Sequence, residues 1–341
     1  MKKLGLLLVI VLLLGVIGVS AQDDVFRVAV VAPSAINDLA FSQSMYDALV
    51  RVQNDMGEDA FQFDFQDGTF IVDDAAVALR DWASSGEYDL IIAHGSQYGS
   101  ILEELAPEFP EVSFAWGTDV NTFGLDNVYA YTAAAEEGGF VNGVAAASIS
   151  ESGVIGVVGP IEVGDAKAYI DGFVAGAAAY DEEVEVNVTY IGSFSDVQLA
   201  TEAANALIEN GADVLTGSAQ MVVGAIGVAQ ENDAYWFGTQ SSQAELAGEA
   251  GFLFQVYHWE VVLMDIIANI QEGVLGGEAY TLNLENGGLT VDLSEFTDLN
   301  EEQFATVEAA IAELTAAIVS GEIVVFPEME MEMTPEATPG S

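Results

Sequence analysis

From residue 26 onward, short blocks of Val, Ile, Phe and Ala alternate with stretches of helical periodicity, and the cycle runs twice. FRVAVVA (26–32), FQFDF (61–65), DLIIAH (89–94), VSFAW (112–116) and VYAYT (128–132) are the predicted strands of the first cycle. Helices are predicted over 41–53, over 73–85 and after the third strand. A helix over 136–149 opens the second cycle. Its predicted strands are GVIGVVG (153–159), VEVNVTYIG (184–192), DVLTG (213–217) and AYWFG (234–238), with helices over 165–179, 197–211 and 221–230. GFLFQVY (251–257) is a further strand, followed by helices over 258–273 and 300–320. Unbroken apolar strands of this kind belong to parallel sheets covered on both faces. Two successive βαβ series predict two doubly wound α/β lobes. A length of 341 residues, 51% of them apolar, suits two lobes of about 100–150 residues each.

The ends differ from the middle. Lys2 and Lys3 precede an apolar run from Leu4 to Val19, and Val19-Ser20-Ala21 fits a small-residue cleavage site. Residues 1–21 are therefore read as a signal peptide, with an extracytoplasmic mature protein, periplasmic or at the cell surface. The apolar run is short for a membrane span, which needs about 20 residues. The Pro-, Glu- and Met-rich tail (327–341) has the composition of a disordered segment.

The chain carries 55 acidic and 6 basic residues, for a formal net charge of −49. Beyond Lys2 and Lys3 the only cations are Arg27, Arg51, Arg80 and Lys167. Nucleic acid and anionic lipid need Lys and Arg against their phosphates, so neither is an expected partner. There is no cysteine, which removes disulfides, thiol catalysis, Cys-held metals and a lipid-bearing N-terminal Cys. No cofactor or metal is expected. Neither histidine has a nucleophile or zinc spacing around it, and chance alone brings acids such as Glu136 and Glu137 together, so an enzyme is not expected.

In open parallel sheets, ligands bind outside the carboxyl ends of the strands. The loops there carry uncharged hydrogen-bonding groups and single aromatics, which suit a small neutral ligand. The first holds Asn37, Asp38, Phe41, Ser42 and Gln43, the third His94 and Gly95, and the fourth Asp119. In the second cycle they hold Phe194, Gly217 and Gln240. Asp38 either caps the following helix or bonds a ligand edge. Lys167 either meets an anionic ligand or pairs with a neighbouring acid such as Asp165.

AINDLAFSQSMYDAL (35–49) resembles the opening ligand loop of the basic membrane protein (BMP) family of ABC-transporter solute-binding proteins, of the purine nucleoside receptor type. EEGGFVNGVAAA, GVIGVVG followed by YIDGFVAGAAA, YIGSFSD, NGADVLTGSA and AAIVSGEIVVF extend the likeness in family order. The resemblance implies a type I periplasmic-binding fold, two lobes joined by three hinge crossovers with a ligand between them. The first lobe would comprise 22–131 plus about 257–278, and the second 132–256 plus about 279–326. It further implies a nucleoside held between Phe41 and Phe194, with Asp38 at the base edge. Ser42 stands where the family often has Asn, Gln240 where it has an acid and His258 where it has Lys. Trp259 either lines the pocket or packs in the hinge, and His258 either touches the ligand or makes a structural hydrogen bond. The implied partners are an ABC permease and ATPase, with the binding protein a monomer. A ligand-sensing ectodomain working with a signalling receptor is the alternative.

Overall fold

The computed structural model describes residues 25–326. The expected signal peptide (1–21) and acidic tail (327–341) lie outside the described residues.

The first cycle runs β1 (Phe26–Val31), α1 (Phe41–Met56), β2 (Phe61–Gln66), α2 (Val72–Ser85), β3 (Leu90–His94), α3 (Gly99–Leu105), β4 (Ser113–Gly117) and β5 (Val128–Ala133). The second runs α4 (Ala135–Ile149), β6 (Val154–Gly159), α5 (Gly164–Tyr180), β7 (Glu185–Tyr190), α6 (Val197–Glu209), β8 (Val214–Gly217), α7 (Val223–Glu231), β9 (Tyr235–Gly238), α8 (Gln243–Ala247) and β10 (Gly251–Tyr257). The chain ends with α9 (Trp259–Gln271), β11 (Ala279–Leu282), β12 (Leu289–Leu293) and α10 (Glu301–Val319).

These strands make two six-stranded sheets. The first has the order β2-β1-β3-β4-β5-β11 and is parallel throughout. The second has the order β7-β6-β8-β9-β10-β12, with only β12 antiparallel to its neighbour. Central strands β3, β4 and β10 are buried at every residue, so helices cover both faces and the strands read as continuous apolar runs. Edge strand β7 is exposed or half-buried throughout, which accounts for its Glu, Asn and Thr.

Strand β11 corrects the expected lobe boundary. Residues 279–282 pair in register with Ala130–Ala133 and extend the first sheet, whereas the sequence places the switch near 278. Helix α9 belongs with that sheet. It packs against α1 and β11, burying Trp259, Val262, Leu263, Ile266 and Ile267. The chain therefore crosses between lobes at residue 134, at residue 258 and over 283–288.

Helices α4 and α5 meet backbone to backbone. A Cβ at Gly139 would stand 2.2 Å from the Tyr169 carbonyl oxygen, and one at Gly143 2.0 Å from that of Phe173. From the other helix, Gly172 and Gly176 approach the carbonyl oxygens of Glu136 and Phe140 equally closely. Nothing larger than hydrogen fits at these positions. Beside this seam Asn142 Nδ2 donates to the Tyr169 hydroxyl at 3.0 Å, and Tyr169 bonds Thr216 at 2.8 Å.

Candidate ligand-binding site

A cavity of about 380 Å³ lies between the lobes, and the carboxyl ends of both sheets wall it. This is the position expected for doubly wound sheets, and the volume falls in the range of small-molecule sites. The first lobe contributes Pro33, Ser34, Ala40 and Phe41 after β1, Phe70 and Val72 after β2, Gly95 to Gln97 after β3, and Thr118 after β4. The second contributes Val163 to Ala166 after β6, Phe194 after β7, Ser218 to Gln220 after β8, Thr239 and Gln240 after β9, and Tyr257 at the end of β10. Asp165 is the single charged side chain in this lining.

Of the residues selected from sequence, Phe41, Gly95, Phe194 and Gln240 line the cavity. Phe41 is clamped from behind. His94 stacks on its ring with centroids 3.9 Å apart and planes at 6°, and Trp259 meets it edge-on at 6.0 Å. His94 Nε2 lies 3.4 Å from the Phe41 carbonyl and Nδ1 2.8 Å from the Tyr131 hydroxyl. A carbonyl only accepts, so Nε2 carries the proton and Nδ1 accepts from Tyr131. Burial pushes the His94 pKa down to about 3 despite the Phe41 carbonyl, so the imidazole is neutral. Trp259 Nε1 donates to Ser44 Oγ at 2.9 Å, and Ser44 donates to the Phe41 carbonyl at 2.7 Å. Phe194 is fixed through its own carbonyl, which accepts from Met221 N–H at 3.1 Å.

The remaining expected contacts stand off the cavity, each for a physical reason. Asp38 is spent on its own loop. Oδ1 accepts from Ala40 N at 2.8 Å and Gln43 N at 3.1 Å, while Oδ2 accepts from Ser42 N at 3.3 Å and from the Ser34 hydroxyl. Ser42 accepts from Ser34 N at 3.1 Å, and Gln43 Oε1 from Leu39 N at 2.9 Å. Asn37 is exposed beside this turn. Asp119 accepts from Val120 N and Asn121 N, closing a turn of its own. Gly217 is buried in β8, where a Cβ would press on the Val158 carbonyl at 2.5 Å. His94 and Trp259 sit behind Phe41 rather than in the lining. His258 lies at the second crossover, within 3.0 Å of Thr290 Oγ1 and 3.2 Å of Glu260 Oε1. Lys167 pairs with Asp171 one helical turn on, not with Asp165.

Sequence reasoning missed Phe70, Tyr257 and Asp165 as residues of the lining. Asp165 stands in the first turn of α5, after β6. Its Oδ1 accepts from Thr132 Oγ1 of β5 at 3.3 Å, a hydrogen bond across the lobes. Its Oδ2 is buried and has no partner. Burial raises the Asp165 pKa to about 7; the Thr132 bond lowers it and Glu136 raises it further. Among described buried atoms without a partner, those of Ser113, Asn142 and Gln255 belong to residues outside the lining. No group of His, Cys, Asp and Glu among the described residues could hold a metal ion.

A family model described as ABC transporter substrate-binding protein, PnrA-like (Bmp), matches residues 25–326. The chain belongs to this Bmp family. Relatives include a purine-binding protein of Brucella abortus, 28% identical over 275 residues, covering 81% of this chain and 75% of the relative. Solved structures with the same fold include an ABC transporter system solute-binding protein from Conexibacter woesei, at 24% identity and a TM-score of 0.74, covering 89% of this chain and 98% of that one. Another, from Aeropyrum pernix, gives 23% identity and a TM-score of 0.75 over 90% and 94% of the two chains. The Bmp fold is thus the type I periplasmic-binding fold of two α/β lobes, and its members are solute-binding components of ABC transporters. Among the described residues of this Bmp protein no helix is long and apolar enough to cross a membrane.

Proposed function

We propose that this protein captures a purine nucleoside, or a similar small neutral molecule, between its lobes outside the cytoplasm and presents it to an ABC permease and ATPase. The observation that carries the reading is one cavity lined by Phe41 from the first lobe and Phe194 from the second. Stacking of a base on an aromatic ring is worth roughly 1–3 kcal/mol, and micromolar affinity needs about 8 kcal/mol. Two such faces supply a large share, and the Ser, Thr and Gln side chains of the lining supply directional bonds. No Lys, Arg or His lines the cavity, so a phosphate would have no counter-charge there. The Brucella relative, named as purine-binding, points to the same ligand class. Closure of the lobes on the ligand is a two-state shift that a permease can read.

A thermal-shift panel of nucleosides, free bases, sugars and cationic solutes tests this. Nucleosides are expected to raise Tm, and Phe41→Ala or Phe194→Ala to remove the shift. A protein that ignores nucleosides and bases alike would overturn the purine reading.

A further inference from the structure

The cavity lining is uncharged except at one point, and that point has an unmet hydrogen-bonding capacity. Asp165 Oδ2 is buried without a partner, while Oδ1 reaches across the lobe junction to Thr132. A buried carboxylate oxygen left bare is destabilising, and a donor brought by a ligand relieves that penalty. The groups facing Asp165 offer no cation. They are the Glu136 carboxylate from α4, the Tyr131 hydroxyl from β5, which already serves His94, and the Tyr257 hydroxyl from β10. Lys167, the nearest cation in sequence, is engaged by Asp171.

We propose that Asp165 is a specificity-determining residue that selects solutes bringing a nitrogen-borne hydrogen-bond donor into the cleft. Within purines, those with an exocyclic amino group are favoured over those lacking one. This rests on the cleft's being the solute site, as proposed above. A donor is best matched by the ionised carboxylate. Ligand binding therefore expels a proton where the free carboxyl is partly protonated, and affinity falls as the solution is acidified through neutrality. An acceptor-only ligand gains nothing from ionisation and shows no such fall.

The test is titration calorimetry of the full mature chain with adenosine and with purine riboside, which lacks the amino group, at pH 5.5 and pH 8. The expected result is adenosine binding at least about fivefold tighter at pH 8 than at pH 5.5, and at least about fivefold tighter than purine riboside at pH 8 (about 1 kcal/mol). Asp165→Asn should abolish both differences. Thr132→Val keeps the carboxylate but removes the bond that lowers its proton affinity, so it should move the midpoint of the pH profile upward. Adenosine binding that is the same in the wild type and in Asp165→Asn at both pH values overturns the inference and leaves purine capture standing. If neither purine binds, the purine reading falls, and a panel of primary amines and plain sugars decides the role of Asp165. An amine whose binding is lost in Asp165→Asn upholds the inference. Binding confined to sugars, or no binding at all, overturns it.

Discussion

Gln243 Nε2, in the second lobe, donates to the Leu39 carbonyl of the first at 3.1 Å. Gln243 is fully buried, and its Oε1 accepts from Thr239 N at 3.2 Å and Trp236 Nε1 at 3.4 Å within its own lobe. The bond to Leu39 exists only when the lobes meet, whereas the other two persist when they part. Gln243→Met should therefore have two separable effects. Lost bonds inside the lobe lower Tm in both states. The lost inter-lobe bond, worth about 1 kcal/mol, lowers ligand affinity about fivefold and shifts the ligand-free protein toward open forms. Calorimetry and small-angle scattering read the second effect; an unchanged affinity and radius would show that the bond does not bias closure.

His94 does not touch the cavity, yet its removal should weaken binding. The imidazole backs Phe41 at 3.9 Å and bonds the Phe41 carbonyl, so it sets the plane a ligand stacks on. His94→Leu is expected to lower affinity about tenfold and to lower stability. Because burial holds the His94 pKa near 3, below its unfolded value of about 6.5, its contribution to stability is present above pH 6.5. It is lost progressively as pH falls from 6.5 toward 3. Acid-induced unfolding of the wild type against His94→Leu checks the sign, since the variant should lack this component.

Asp165 acts on stability in the opposite direction. Its folded pKa of about 7 lies above the ordinary aspartate value of 3.8, so the folded state holds the proton more tightly. The stabilisation is complete below about pH 4 and is lost as pH rises to 7 and beyond. Asp165→Asn should therefore raise the ligand-free Tm at pH 8 relative to the wild type and leave it little changed at pH 4. A gain that is the same at both pH values would mean that ionisation of Asp165 is not what strains the empty cleft.

The acidic surface predicts a response to salt. Of the cations among the described residues, Arg51, Arg80 and Lys167 are already tied to Glu260, Glu108 and Asp171. The remaining acids repel one another, and added salt shortens the range of that repulsion to about 3 Å at 1 M. Melting followed from low salt to 1 M sodium chloride should show Tm rising throughout. A flat or falling trend would assign the net charge of −49 no part in stability.

Much of the architecture is legible in the sequence because parallel strands buried on both faces, as in β3 and β10, leave unbroken apolar runs between helices. Strands β11 and β12 escape that reading. Thr281 and Thr290 interrupt them, and β12 pairs antiparallel at the edge of its sheet, so neither forms a long apolar block. The candidate site divides along a similar line. The rule of carboxyl ends finds the loops that bear Phe41, Phe194 and Gln240. It does not distinguish a side chain that faces the cavity from one that holds the loop, so it selects Asp38 and His94 together with Phe41. Asp165 is hidden in the sequence for another reason. As an acid in the first turn of a helix it has an ordinary role there, and only the fold shows that its second oxygen has no partner.

The seam between α4 and α5 bears on how such a cleft changes its preferences. Gly139, Gly143, Gly172 and Gly176 let the two backbones touch, and α5 begins with the carboxylate that lines the cleft. A methyl group at any of them would wedge the helices apart and tip that acid to a new depth. Selectivity can thus drift through replacements along the helix seam, at sites with no side chain and no place in the cavity lining.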